Sequence, residues 1–165
     1  MTFILSEQRD ADVVAAFQRY REYVDRLRQD FPRGAYSLAA SEWYYNADDH
    51  RCPHDAWLEE VTLSETATGP RHEVRSTTMR IRLLGAYHDG HIELRYPRVF
   101  RYQLELDPAV DGHRDWRYDE FRLSEEGNVL HEIEWWSLGA IGHWLIEASD
   151  VEFAWKPKGR AASDA

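Results

Sequence analysis

Residues 79–96 read Met79-Arg80-Ile81-Arg82-Leu83-Leu84-Gly85-Ala86-Tyr87-His88-Asp89-Gly90-His91-Ile92-Glu93-Leu94-Arg95-Tyr96, two alternating runs joined by a turn. Met79, Ile81 and Leu83 alternate with arginines; Ile92, Leu94 and Tyr96 alternate with charged residues. A period of two places apolar side chains on one face of a strand and polar ones on the other. Asp89-Gly90 is the dipeptide that tight hairpin turns favour, because both residues tolerate a left-handed backbone. The stretch reads as a β-hairpin.

The same rhythm runs outward from it. Trp57, Val61 and Leu63 precede it; Phe100, Tyr102, Leu104 and Leu106 follow, then Phe121 and Leu123, then Val129, Ile133 and Trp135. Trp144 and Ile146, and finally Val151, Phe153 and Trp155, complete the series. Thr68-Gly69-Pro70, Pro97, Pro108 to Gly112, Gly127-Asn128, Gly139 and Gly142 punctuate the runs. The gaps leave no room for crossover helices, so the strands are predicted to pair antiparallel.

Upstream the period changes. From Ser6 to Asp30, Val13, Phe17, Tyr20, Val24, Leu27 and Phe31 recur at spacings of four and three, which predicts one helix stopped by Pro32 and Gly34. Residues 35–46, with Leu38-Ala39-Ala40 and Trp43-Tyr44-Tyr45, fit a short helix or an irregular strand. The expected fold is α+β: an antiparallel, mostly meander sheet, curved as a half-barrel or open sandwich, with a long N-terminal helix packed on it. A single domain is expected over residues 1–155, with 156–165 a disordered tail.

Composition narrows the function. The chain has 165 residues and a formal charge of −10, which repels phosphate backbones and anionic lipid and suits a basic protein partner. No apolar run reaches the roughly 18 residues of a membrane span, and the N-terminus lacks the basic start and apolar stretch of a signal peptide. The expectations are no nucleic acid, no membrane and a cytoplasmic location. With Cys52 the only cysteine, no internal disulfide can form.

Three groups of residues could carry chemistry. His50, Cys52, His54 and Asp55 crowd one loop, and His88 and His91 flank the turn above; His50, Cys52, His54, His88 and His91 are candidate ligands for zinc or another transition metal, in a metal-binding protein or a metal-dependent hydrolase. The same histidines can instead make turn-stabilising hydrogen bonds. His54-Asp55, His88-Asp89, and His113 two residues before Asp115 place carboxylates near imidazoles, as a general base would need, but adjacent residues of a strand face opposite ways. His131 shares a face with Val129, Ile133 and Trp135, the position of a hydrogen-bonded core histidine. Trp136 points away from that face. With 7 Trp, 9 Tyr and 6 Phe, some rings must reach solvent as anchors for a partner. The candidate binding residues are His54, Asp55, Tyr87, His88, His131 and Trp136.

Pro53-His54-Asp55-Ala56-Trp57-Leu58, Leu83 to Gly90 and His131-Glu132-Ile133-Glu134-Trp135 resemble motifs of a group of uncharacterised bacterial proteins, the likeness running from about Trp43 to Trp155. The His-Asp-Ala entry into a meander is similar to that of small immunity proteins of polymorphic-toxin systems. The resemblance implies a bacterial cytosolic protein with a binding role, and no site residue follows from it. The expected function is a non-catalytic protein-binding module, the metal reading its alternative.

Overall fold

A computed structural model describes residues 1–106, 108, 111–137 and 139–159. Seven antiparallel strands carry it: β1 Trp57–Thr68, β2 Val74–Leu84, β3 Gly90–Leu104, β4 Asp115–Leu123, β5 Val129–Ser137, β6 Ala140–Ala148 and β7 Glu152–Pro157. Their order, β2-β1-β4-β5-β6-β3-β7 with a further β2–β3 pairing, joins two three-stranded meanders into a ring. β6 and β7 run in line along one edge of β3, Val99 facing Ala148 and Arg95 facing Glu152. The decisive hairpin is present: Leu83 pairs Ile92 and Ile81 pairs Leu94, and all four are fully buried. Alternation on β2, β3 and β5 thus fills one interior, where Trp116, Phe121, Trp135 and Ile146 join them.

The ring is closed at one point only. β1 and β4 share the single pair Trp57–Asp115, extended by backbone bonds between Ala56 and Trp116 and between Asp55 and Trp116. Beyond it, among the described residues, the outer edge of β4 has no strand beside it, and unpaired N–H groups there would cost stability. Helix α1, Val13–Arg26, fills that seam. The Tyr20 hydroxyl accepts from the Phe121 N–H at 2.8 Å and donates to the Phe121 carbonyl at 3.1 Å; the Tyr23 hydroxyl accepts from the Leu123 N–H at 3.0 Å. Two helical tyrosines stand in for a missing strand.

The N-terminal helix is shorter than its stripe predicts. A 3-10 turn, Glu7–Ala11, comes first, and Asp12 then caps α1 by accepting the Ala15 N–H at 2.9 Å. Residues 27–30 are turns, and Pro32 precedes a second helix, α2 Arg33–Ala39, so Pro32 and Gly34 open a helix rather than end one. Of residues 35–46, the first five complete α2 and Trp43–Tyr45 form a 3-10 turn, so the short-helix reading holds for the Leu38-Ala39 part and no strand forms. Phe100 and Tyr102 continue β3 through Pro97 instead of starting a new strand, and Gly142 lies inside β6. The expected tail begins in β7, which extends to Pro157; residues 160–165 lie outside the described residues.

The segment ahead of α1 is tied across the outer face of β4 and β5. The Glu120 carboxylate, fully buried, accepts from the N–H groups of Phe3, Ile4 and Leu5. Burial holds its pKa above the ordinary glutamate value, against those bonds and the Arg122 charge. Arg122 Nε lies 2.9 Å from Glu120 Oε1, close enough for attraction but off the line a hydrogen bond needs. Arg9 reaches Glu134 at 3.1 Å and covers the Tyr118 ring.

Candidate functional site

Where β1, β4 and β5 meet, Trp57 pairs with Asp115 and Asp115 with Trp136, so the three side chains stand in one row on the outer face. Paired residues of adjacent strands sit about 5 Å apart, which spaces the two indoles roughly 10 Å with a carboxylate between them. Trp57 is 48% exposed and Trp136 42%, a large apolar area for solvent to see. Trp57 Nε1 donates to Asp115 Oδ1 at 2.8 Å, and the His88 ring stands against Trp57 at 4.8 Å, so the indole is held on both sides.

This row walls a cleft of about 540 Å³ that runs over the barrel lip to Leu58, His113, Arg114 and Ser137. Two carboxylates, Asp111 and Asp115, against one guanidinium, Arg114, leave it one negative charge in excess. Such a cleft can take a flat or cationic group: indole faces attract cations, and among the described residues Asp115 Oδ2 has no hydrogen-bond partner and can accept.

His113 forms the inner wall, its ring 5.1 Å from Trp135 and 4.7 Å from Trp144. Burial lowers its pKa below the usual 6.5. The unfolded chain then binds the proton first, so this contribution to stability is present above about pH 6.5 and is lost as the pH falls through the folded-state value. An NMR titration of His113 is expected to show a midpoint below 6.5. His113→Gln should flatten the fall in urea midpoint on acidification.

The barrel interior holds a second polar group. A bulge in β4 between Trp116 and Tyr118 turns Trp116 and Asp119 to the same inner face. Asp119, 3% exposed, accepts from Trp116 Nε1, from the Tyr44 hydroxyl and from His131 Nε2, each at 2.9 Å. His131 Nδ1 lies 2.7 Å from the Tyr96 hydroxyl and is its one side-chain partner among the described residues. Tyr96 is buried, so its O–H needs an acceptor; donating to Nδ1 leaves Nε2–H to donate to Asp119. Asp119 is thus the shared acceptor of three donors inside the barrel.

The sequence candidates are scattered. His50 stacks on Tyr87 at 4.1 Å and bonds Asp89; Tyr87 donates to the Ala47 carbonyl. His54 Nδ1 donates to the Arg117 carbonyl at 2.6 Å, with Nε2 3.6 Å from Asp55. His91 lies 3.4 Å from Glu59. His88 reaches the cleft only through Trp57, and Trp136 lines it directly. His50, Cys52, His54, His88 and His91 are not brought together, and among the described residues no group of three or more His, Cys, Asp or Glu side chains is arranged to hold a metal ion. Trp57, Asp115 and Asp119 carry the two sites; Trp57 and Asp119 were not singled out from sequence as site residues, and Asp115 only as the carboxylate two residues after His113.

Cys52 is buried, donates to the Tyr44 carbonyl at 3.0 Å, and burial pushes its thiol up to about 12. Little thiolate forms at pH 8. The native protein is expected to resist a disulfide reagent at that pH and to react with one equivalent in denaturant.

Comparison with family models, curated proteins and solved structures found no match to this chain.

Proposed function

We propose that the protein is a non-catalytic binding module that captures a basic protein partner by drawing an arginine or lysine side chain between Trp57 and Trp136 onto Asp115. The observation that carries this reading is the row itself: two half-exposed indoles flanking a carboxylate in a cleft of about 540 Å³. Exposed indoles of this size cost solvation unless something covers them, and aromatic anchors with a polar rim are what protein interfaces concentrate. The chain's charge of −10 would steer a basic partner inward and give an encounter rate that falls with salt. The motif resemblance to immunity proteins points the same way.

Tryptophan fluorescence titration with an arginine-containing peptide and its citrulline counterpart tests it, since citrulline keeps the shape and loses the charge. The arginine peptide is expected to bind about tenfold tighter at low salt. Trp57→Ala or Trp136→Ala should each weaken it about tenfold and Asp115→Asn should erase the preference. Equal affinity for both peptides, or binding indifferent to both tryptophans, overturns the reading.

A further inference from the structure

A second cavity, of about 200 Å³ and distinct from the cleft, lies between α1, the segment 44–54 and β4. Phe17 of α1, Tyr44 and Tyr45 of the 3-10 turn, and Trp116 and Tyr118 of β4 line it, with Asp119 among them. Five aromatic side chains thus surround space that borders the Asp119 carboxylate. Oδ1 of Asp119 takes one bond, from Trp116, and has capacity for another. His54, also on the wall, is held there by its Nδ1–H, which donates to the Arg117 carbonyl at 2.6 Å.

We infer that this cavity binds a small protonated amine carried on an aromatic body. The carboxylate of Asp119 on its wall accepts, and the Tyr44 and Trp116 donors there are already spent on it, which suits an ammonium group. Aromatic faces stabilise a cation most when water is excluded, and Asp119 lies where exposure is nearly nil. The size fits as well: an apolar cavity of about 150 Å³ is known to admit benzene, so about 200 Å³ holds a ring with a short chain. Arg117 lines the same cavity and opposes a cation there. That opposition gives the proposal a test of sign.

The probes are phenethylamine, 2-phenylethanol and 3-phenylpropionate, titrated into the full chain and followed by tryptophan fluorescence and the NMR resonances of Trp116 and His54. The amine is expected to bind about tenfold tighter than the alcohol, and the carboxylate weakest. Arg117→Ala should tighten the amine several-fold, while Phe17→Leu should weaken it; a merely structural role for both residues would not move affinity in opposite directions. Asp119→Asn should erase the preference over the alcohol, and if that variant does not fold, the Arg117 and Phe17 variants decide alone. Pairing Trp57→Ala with Trp136→Ala should leave amine affinity unchanged, which separates this site from the cleft. Equal binding of amine and alcohol, tighter binding of the carboxylate, weakening by Arg117→Ala, or no response at Trp116 and His54 overturns it.

Discussion

Asp119→Ala is expected to remove about 3–6 kcal/mol of stability, which for a domain of ordinary stability, about 5–15 kcal/mol, is much of the total. The loss comes from what stays behind. Trp116 Nε1, the Tyr44 hydroxyl and His131 Nε2 all donate to Asp119 inside the barrel, and each orphaned buried donor costs about 1–3 kcal/mol. Asp119→Asn should cost less, because its one oxygen still accepts, though its amide N–H₂ must face donors on the other side. Urea denaturation of the two variants beside wild type measures this. A loss under about 1 kcal/mol for Asp119→Ala would mean that the apolar interior holds the barrel without the network.

Why this residue was hidden in the sequence follows from the bulge. Strict alternation along Asp115 to Leu123 sets Trp116, Tyr118 and Glu120 on one face and Asp119 and Phe121 on the other. The extra residue between Trp116 and Tyr118 moves Trp116 to the Asp119 side. One chain's apolar rhythm carries no mark of such an insertion. The same rhythm did place His131 with Val129, Ile133 and Trp135 in the interior and Trp136 outside, because β5 is regular throughout.

The cleft escaped for a different reason. Trp57 and Asp115 are neighbours only because β1 and β4 close the ring, and that pairing joins segments with two other strands between them in sequence. Register between distant strands is set by the whole barrel. The metal-like loop misled by proximity: His50, Cys52 and His54 lie close in sequence, yet Cys52 turns inward to Tyr44 while His50 leans on Tyr87 and His54 on Arg117. The helical stripe was legible as a packed face from Phe17 onward, since Tyr20, Val24 and Phe31 are buried and Phe17 and Leu27 pack against them, while Val13 at its start is exposed. Its backbone was not. Asp12 capping α1, and Pro32 starting α2, are local hydrogen-bond choices that apolar spacing does not register.

Gly34→Ala is the second large effect, and its expected sign runs against helix propensity. In an ordinary helix the change stabilises by about 1 kcal/mol. Here a Cβ on Gly34 would lie 2.0 Å from the Val151 carbonyl oxygen and 2.9 Å from Asp150 Oδ1, well inside contact distance. The crowding exists because Asp150 holds the first turn of α2: its carboxylate accepts the Gly34 N–H at 3.0 Å and the Ala35 N–H at 2.9 Å. α2 must therefore move off the β6–β7 corner, losing those bonds and uncovering Ala35, Leu38 and Ala39, which are buried. The expected cost is about 2–4 kcal/mol, read as a lowered Tm. Because the carboxylate and the glycine act on one contact, Asp150→Ala combined with Gly34→Ala should cost less than the two separately. A Tm raised by Gly34→Ala would show that α2 stands away from Val151, and the docking of the helix on that corner would fall with it.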